Sequence, residues 1–178
     1  LGIMARSFTG TNLINCGSGS SLDDLPPGPI TGCCWLYLTT GTTLGRIFNK
    51  TNTVLSSGWA LIIHTDNNLH YAEVRATTNR WRTSAISSLS LNTWTFAAFT
   101  AAPSLVYTDI HIYAATGTAS IAELSYSVIV QDGVGTYVSD AADTLYIGNR
   151  YDGGQPFLGS LAELRIWNRI QTLGELEE

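Results

Sequence analysis

Charged residues are scarce in this sequence, and basic residues are fewer than acidic ones. Asp, Glu, Lys and Arg make up 13% of the 178 residues, about half of the ~25% that is usual in soluble domains. The net charge is −5. The nearest approach to a basic patch is Arg75, Arg80 and Arg82, which is too sparse to follow a phosphate backbone. The composition therefore predicts no nucleic-acid partner.

Long apolar segments are also missing. No uncharged apolar run approaches the ~20 residues that are needed to span a bilayer, so membrane insertion is not expected. Leu1–Ile3 precede Met4 without the apolar segment that a signal peptide would carry. Two explanations stay open: a signal has already been removed, or the protein reaches its destination without one.

Cysteine is represented by three residues, Cys16, Cys33 and Cys34. Neighbours on a strand point to opposite faces, so a bond between Cys33 and Cys34 is not expected. A bond from Cys16 to one of them stays open, and the simpler interpretation is that the cysteines act as small buried hydrophobes. No Cys–His spacing indicates a zinc site.

Turn signals are frequent, recurring roughly every 8–12 residues between short runs of β-favouring residues. The clearest strand is Ile30–Leu38, which is apolar on both faces and should lie inside the structure or against a partner. Asp66-Asn67-Asn68 joins two further runs as a hairpin. There are no heptads, no βαβ alternation and no repeat. The chain is therefore predicted to be one all-β domain, residues 1–178, with a capping box at Thr172–Glu175 that starts a short C-terminal helical turn.

The stretch Leu145–Asn168 carries the most specific pattern. A short β-type run, Leu145–Ile147, precedes a loop in which Asp152-Gly153-Gly154 favours a chain reversal. From Phe157 onward the residues alternate between two faces as on a regular strand. Gly159 lies in that strand, where glycine is costly unless another layer packs closely over it. The stretch therefore predicts a strand, a glycine-rich loop and a long strand.

A family resemblance rests on two motifs in this stretch. Ile147-Gly148-Asn149, and F-x-G-x-L-x-E-L-R-I-W-N-R from Phe157 to Arg169, resemble the closing strands of laminin-G-like and pentraxin-like domains of the concanavalin A-like lectin/glucanase superfamily. Earlier segments are similar to the family at Phe8–Gly10, Trp35 and Leu91–Ala98. The resemblance covers most of the chain. It implies a jelly-roll β-sandwich of two antiparallel sheets, in which the first and last strands pair and Trp35 and Trp94 are core residues.

The resemblance also makes Ca²⁺ a candidate cofactor. Domains of this kind often bind Ca²⁺ through loop Asp, Asn and backbone carbonyls, which suits an ion that takes six to eight oxygen ligands. Asp140 and Asp143 lie on a loop that flanks the closing stretch, and they are the candidate metal ligands. Ala162, however, stands where many relatives have an Asp, and loop aspartates also serve simply to form turns. Both interpretations stay open.

A glycan site would need an exposed aromatic ring beside amide and carboxylate groups. Two loops, Tyr137–Asp143 and Asn149–Gln155, together form the preferred candidate, because loops on a rigid sandwich are good places for sites. The candidate ligand-binding residues are Tyr137, Asp140, Asp143, Asn149, Arg150, Tyr151 and Asp152. A further cluster combines Trp59 or Trp81 with Asn67, Asn68 and Asn79. Asn49-Lys50-Thr51 is a lone glycosylation sequon.

Catalysis is not expected. The β-glucan hydrolases of the superfamily carry an E-x-D-x-x-E pattern on one strand face, and retaining hydrolysis needs two carboxyl groups about 5–5.5 Å apart. Glu163 stands alone on its strand, although a pair that is distant in sequence stays open. There is no G-x-S-x-G motif for a nucleophile. His64, His70 and His111 are interpreted as strand histidines with local hydrogen-bond partners.

The sequence therefore favours a non-catalytic module of lectin-like fold that serves in surface recognition or display. Low charge and a strand that is apolar on both faces suggest self-association, or assembly with other subunits, on an extracellular or virion surface, as in a decoration or tail-fibre domain. Its partner would be a glycan or a protein surface. The alternatives are a free carbohydrate-binding lectin, with Ca²⁺ dependence as one form of it, and a glycan hydrolase.

Overall fold

The computed structural model describes residues 4–41, 44–52 and 55–178; Leu1–Ile3, considered above, lie outside it. The described residues form thirteen strands and a short α-helix. In chain order these are β1 (Arg6–Phe8), β2 (Ile14–Asn15), β3 (Ile30–Leu38), β4 (Gly45–Lys50), β5 (Trp59–His64), β6 (Asn68–Glu73), β7 (Arg80–Ser84), β8 (Trp94–Ala101), β9 (Ile110–Thr116), β10 (Ala122–Glu123), β11 (Tyr126–Gln131), β12 (Tyr146–Ile147), β13 (Gly159–Trp167) and α1 (Leu173–Leu176). Single 3-10 turns occur at Ser20–Leu22, Thr65–Asn67 and Tyr107–Asp109.

The strands form two antiparallel sheets, and the predicted jelly-roll β-sandwich is confirmed. One sheet has six strands in the order β1-β13-β3-β8-β9-β10. The other has seven strands in the order β11-β7-β6-β5-β4-β12-β2. The predicted pairing of the first and last strands is also confirmed, since Phe8 lies opposite Gly159. The predicted capping box is present at Thr172, whose hydroxyl accepts a hydrogen bond from Glu175 N–H.

An aromatic cluster fills the space between the two sheets. Trp59 and Tyr71 come from the seven-stranded sheet, Phe99 comes from the six-stranded sheet, and all three are fully buried. The Phe99 ring stacks on Tyr71 at 4.5 Å and lies 5.8 Å from Trp59. Burying aromatic rings of this size contributes much of the hydrophobic stabilisation of a domain.

The alternation predicted for the last strand is wrong beyond Ala162. A bulge shifts the register between Ala162 and Arg165, and Glu163 takes a φ of +51°. A bulge adds one residue to a strand and so changes which face the later side chains occupy. Leu164 and Ile166 therefore pack against the main core with Leu161.

The placement of Trp35 and Trp94 in the core was also a wrong expectation. Both are partly exposed on the outer face of the six-stranded sheet, where Trp35 lies opposite Phe96. Trp35, Tyr37 and Cys33 share that face, while the alternate residues of β3 point into the main core. This arrangement explains why Ile30–Leu38 is apolar on both sides: one face meets the other sheet, and the other carries a second apolar cluster.

The segment 121–131, predicted as one strand broken near Ser127, contributes to both sheets. β10 pairs with β9 in the six-stranded sheet, and β11 pairs with β7 in the seven-stranded sheet. The register of β11 also shifts between Tyr126 and Val130, which confirms an irregularity at Ser127.

The three cysteines are all free. Cys33 and Cys34 are buried, as expected, but Cys16 is exposed and is not a core residue. Burial raises the pKa of the Cys33 thiol to about 11. None of the helices in the described part of the chain has the length and apolar character needed to cross a membrane.

Candidate functional site

The two loops that were predicted to form one site lie at opposite ends of β4. Lys50, at one end, donates hydrogen bonds to the carbonyl oxygens of Asp140 and Asp143. Arg46, near the other end, donates two hydrogen bonds to Gln155: its backbone N–H to the carbonyl oxygen and its Nε to Oε1. Arg46 and Lys50 are four residue steps apart along the strand, which separates these contacts by roughly 13 Å. The structure therefore divides the predicted residues between two places.

The Tyr137–Asp143 loop is organised around a buried ion pair. Lys50 Nζ lies 3.0 Å from Asp23 Oδ1 and 3.5 Å from Asp140 Oδ1, and both Lys50 and Asp140 are fully buried. The Asp140 carboxylate also accepts hydrogen bonds from Asp24 N–H at 2.7 Å and Tyr137 O–H at 2.6 Å. Burial raises the pKa of Asp140, while the Tyr137 hydroxyl, the Asp24 amide and Lys50 act to lower it. These partners tie the loop to the first half of the chain.

The ammonium group of Lys50 provides, within this network, the positive charge that a metal ion would provide at the predicted calcium site. Lys50 sits among Asp23, Asp140 and Asp143, where a cation would otherwise lie. Asp143 Oδ2 accepts a hydrogen bond from Ser57 Oγ at 2.5 Å. In the described ranges, His, Cys, Asp and Glu form no group of three or more that could hold a metal ion. The calcium site at Asp140 and Asp143 stays a prediction, and the donor set around it suits an ammonium group.

In the second loop, Asn149 has an internal role. It is fully buried, and its Oδ1 accepts hydrogen bonds from the backbone N–H groups of Arg150 and Gln155. Its Nδ2 donates to the carbonyl oxygens of Gly10 and Asn12. Because both ends of the amide are used within the protein, Asn149 shapes the loop.

The tip of that loop is accessible. Arg150 and Asp152 form an ion pair at 2.8 Å, and Tyr151 is exposed beside Tyr146, with 6.5 Å between the ring centroids. Tyr146 belongs to β12, so its ring is placed by the sheet. Of the candidate ligand-binding residues, Arg150, Tyr151 and Asp152 thus lie next to the outer face of the seven-stranded sheet.

One row of paired residues crosses this outer face and takes one residue from each of the seven strands. The row is Asn15, Tyr146, Asn49, Ala60, Ala72, Trp81 and Gln131. Its members face outward, because the residues next to them in sequence, such as Trp59, Tyr71 and Ile147, are in the core. Amide and aromatic groups therefore lie at both ends of the row, with small residues between them.

A second aromatic series runs diagonally along the same face. The ring centroids of His64 and His70 are 5.4 Å apart, and those of His70 and Trp81 are 6.4 Å apart. His70 Nδ1 lies 2.7 Å from Thr83 Oγ1, and His64 Nδ1 lies 2.9 Å from Thr65 Oγ1. The predicted local hydrogen-bond partners are therefore present. Burial lowers the pKa of His70 to about 3, with further lowering by His64 and Arg46, so its ring is neutral near pH 7.

Arg46 lies on the neighbouring row, opposite Ile62, which in turn pairs with His70. Its side chain is 4% exposed, and its Nη1 is buried without a hydrogen-bond partner in the part of the chain that the structure describes. Burial, assisted by the charge of Arg150, lowers its pKa to about 10. Arg46 therefore provides positive charge beneath the exposed loop tip.

The remaining sequence candidates separate clearly. Trp59 is a core residue, whereas Trp81 is partly exposed on the outer face. Asn68 is buried within β6. Asn49 of the sequon is fully buried, and its Nδ2 donates to Thr51 O. Glycosylation of Asn49 is therefore incompatible with the folded structure.

Sequence reasoning missed Tyr146, Arg46 and the alignment of Trp81 with them. A usable signal was present in β5, where core residues alternate with Ala60, Ile62 and His64. That alternation marks an outer face, but the strand order that brings Tyr146 beside Asn49 depends on long-range pairing. The row from Asn15 to Gln131, whose residues are all described, contains no carboxylate, and neither do Arg46, Ile62, His70 and Thr83 of the neighbouring row.

Comparison with known families gives one match over nearly the whole chain. A family model described as the concanavalin A-like lectin/glucanases superfamily matches residues 9–176. No curated protein sequence matches the chain.

Three solved structures illustrate the likeness in fold. The NanB sialidase of Streptococcus pneumoniae is 14% identical with a TM-score of 0.59, over 97% of this chain and 27% of NanB. The CBM40 of the Ruminococcus gnavus IT-sialidase, bound to α2,3 sialyllactose, is 14% identical with a TM-score of 0.57, over 98% of this chain and 97% of that one. Tailspike protein 2 of the Escherichia coli O157:H7 bacteriophage CAB120 is 13% identical with a TM-score of 0.58, over 96% of this chain and 23% of the tailspike. The chain thus spans about a quarter of NanB and of the tailspike.

Proposed function

Because the chain belongs to the concanavalin A-like lectin/glucanase superfamily, we propose that it is a non-catalytic glycan-binding module. Its binding surface is the outer face of the seven-stranded sheet together with the tip of the Asn149–Gln155 loop. The row of paired residues from Tyr146 to Trp81 is the observation that carries this proposal.

The chemistry of this face suits a sugar. The apolar side of a sugar ring packs on an aromatic ring, and its hydroxyl groups exchange hydrogen bonds with amides and charged side chains. Tyr146, Tyr151 and Trp81 supply partly exposed rings. Asn15 and Gln131 supply amides at the two ends of the row. A few well-placed polar groups around aromatic surface is the usual composition of a small-molecule site.

The absence of catalysis is part of the proposal. Hydrolysis with an oxocarbenium-like transition state uses two positioned carboxyl groups. In the two rows that cross this face the polar groups are side-chain amides, the Tyr146 hydroxyl, the Trp81 indole N–H, Arg46, His70 and Thr83. Asp152 at the loop tip is paired with Arg150. These residues suit the holding of a sugar, and their composition supports the non-catalytic part of the proposal.

Two observations support a proposal about the wider setting of the module. NanB and the tailspike are much longer than this chain, and a lectin-like module of this size fits within a larger surface protein. Edge strand β11 carries Val128, which is 95% exposed, and Ile129, which is 43% exposed. An edge with little charge favours association with another subunit. We therefore place the module on an extracellular or virion surface, within a larger assembly.

A glycan array tests this function directly. The protein is applied with and without EDTA, and binding to a defined set of glycans that persists in EDTA is the expected result. Binding that EDTA abolishes would instead support the Ca²⁺-dependent alternative. Failure to bind any glycan would contradict the proposal, and release of reducing sugar from a bound glycan would contradict its non-catalytic part.

A further inference from the structure

A cavity of about 420 Å³ opens on the outer face of the six-stranded sheet, on the other side of the sandwich from the proposed glycan face. Its floor is made by Trp35, Phe96, Cys33 and Ala115, which belong to the adjacent strands β3, β8 and β9. The two rings meet edge to face at 5.6 Å between centroids. The volume falls within the range of about 300–1,000 Å³ that is common for small-molecule sites.

The walls of the cavity are tied to each other and to the sheet. On one side the wall is the turn 117–121 between β9 and β10, and on the other it is the chain from Leu176 to Glu178. Ile121 N–H donates to Glu177 Oε1 at 3.4 Å. The capping box at Thr172 fixes α1 and so fixes Leu176 over the apolar cluster. The cavity is therefore bounded by two chain segments that contact each other across it.

The bulge in β13 brings a carboxylate to the mouth of the cavity. Glu163 takes a φ of +51°, which is unusual for a residue with a side chain, and bulges often redirect side chains beside functional sites. Glu163 and Arg165 both line the cavity. Glu163 Oε2 lies 3.8 Å from Arg165 Nη2, and each side chain is about half exposed. Glu177 and Glu178 line it as well. Three carboxylates against one guanidinium leave the mouth with a formal charge of 1 − 3 = −2.

An apolar aromatic floor beneath a negative mouth selects one kind of ligand. A cation gains from the face of an indole or phenyl ring and from nearby carboxylates, and an apolar body of matching size gains from burial against the floor. An anion would meet the net negative charge. We propose that this cavity binds a small organic ammonium compound, with the apolar part on Trp35 and Phe96 and the ammonium group toward Glu163.

Three probes of similar shape test the proposal by isothermal titration calorimetry. They are the cation 2-phenylethylammonium, the neutral 2-phenylethanol and the anion 3-phenylpropionate. The ammonium should bind most tightly and the carboxylate most weakly. Equal affinity for the ammonium and the alcohol, or no measurable binding of the ammonium, would overturn the proposal.

Two variants locate the binding site. Glu163→Gln should weaken ammonium binding about two- to fivefold, the effect of losing one partly exposed charge pair, and should leave alcohol binding unchanged. Asp66→Asn is the matched control, because it removes the same charge from an exposed turn outside the cavity, and it should bind as the wild type does. An unchanged affinity in Glu163→Gln would contradict the assignment.

Filling the cavity is the second test. Ala115→Leu adds three carbon atoms to the floor and should abolish binding of both the ammonium and the alcohol, with circular dichroism confirming the fold. Undiminished binding by folded Ala115→Leu would place the ligand elsewhere and overturn the proposal. If this variant does not fold, the comparison of Glu163→Gln with Asp66→Asn still decides the matter.

Discussion

Tyr146 and Trp81 lie on the same row of the seven-stranded sheet, with Asn49, Ala60 and Ala72 between them. Four inter-strand spacings separate the two aromatic residues, a distance of about 19 Å. Asn49, Ala60 and Ala72 face outward in this row but are fully buried, so the accessible groups of the row lie at its two ends. Tyr146 and Trp81 are the partly exposed rings of this row, and their separation suits an extended ligand better than a single sugar.

Replacing Lys50 with Met should destabilise the fold strongly. Lys50 is fully buried, lies 3.5 Å from Asp140 Oδ1 and donates to two carbonyl oxygens. Removing one partner of a buried pair typically costs about 3–5 kcal/mol, because the other charge stays buried without compensation. Urea unfolding measures the loss. Arg165→Ala, in the half-exposed pair with Glu163, is the control and should cost no more than about 1 kcal/mol; an equally small cost for Lys50→Met would refute the role given to this network.

Gly159→Ala should prevent stable folding or lower the melting temperature sharply. Gly159 has a φ of +151°, and a Cβ at this position would lie 1.9 Å from Tyr37 O on the adjacent strand. Gly174→Ala is the matched control, since a Cβ there meets nothing within 4 Å and alanine favours a helix by about 1 kcal/mol over glycine. Thermal unfolding followed by circular dichroism should show opposite shifts for the two variants. Similar melting temperatures for Gly159→Ala and wild type would show that the close approach is not rigid.

His70, which is partly buried on the outer face, makes a defined contribution to the pH dependence of stability. The pKa of His70 is lowered to about 3 in the folded state, against about 6.5 in an unfolded chain. Between these values the unfolded chain binds a proton at this residue that the folded chain does not, so the contribution of His70 to stability falls as pH decreases from about 6.5 toward 3.

His70→Gln removes that contribution. The free energy of unfolding of the variant, relative to wild type, should therefore rise as the pH is lowered from about 7 to about 4, where this proton linkage acts. Urea titrations of both proteins at several pH values measure the difference. A difference that does not change with pH would show that the pKa of His70 is the same in the folded and unfolded states, and would contradict this account.

The three thiols should differ in reactivity. Cys16 is exposed, whereas Cys33 and Cys34 are buried, and burial raises the pKa of both buried thiols. Because the thiolate is the reactive form, Ellman's reagent should titrate one thiol quickly in the native protein and all three in denaturant. Fast reaction of two or more thiols in the native protein would be inconsistent with this packing.

Much of the fold could be predicted from local sequence patterns. Ile30–Leu38 was predicted with its observed bounds, and the hairpin at Asp66-Asn67-Asn68 and the capping box at Thr172 follow from local chemistry. The bulge at Glu163 could not be predicted in the same way. It arises where β13 adjusts its register against β3, and period-2 alternation carries no information about an inserted residue.

The candidate site was predicted in part, for a similar reason. The loop tip at Tyr151 was identified, because exposed aromatic and charged residues in a glycine-rich loop are visible in sequence. Asp140 and Asn149 were assigned to a ligand although each is fully buried and bonded within the protein. The row from Tyr146 to Trp81 depends on the order of the strands in the sheet. That order brings together residues that are 65 positions apart in sequence, and local sequence patterns do not reveal it.

The glycan-binding face is tested most directly by the affinity of two tryptophan variants for a glycan that the wild type binds. Trp81→Ala removes an aromatic ring from the row, and Trp94→Ala removes one that is also partly exposed but lies on the opposite sheet. Calorimetry should show a loss of about tenfold or more for Trp81→Ala, as expected for a central aromatic contact, and wild-type affinity for Trp94→Ala. Unchanged affinity in Trp81→Ala, or an equal loss in Trp94→Ala, would contradict the assignment of the binding face to the seven-stranded sheet.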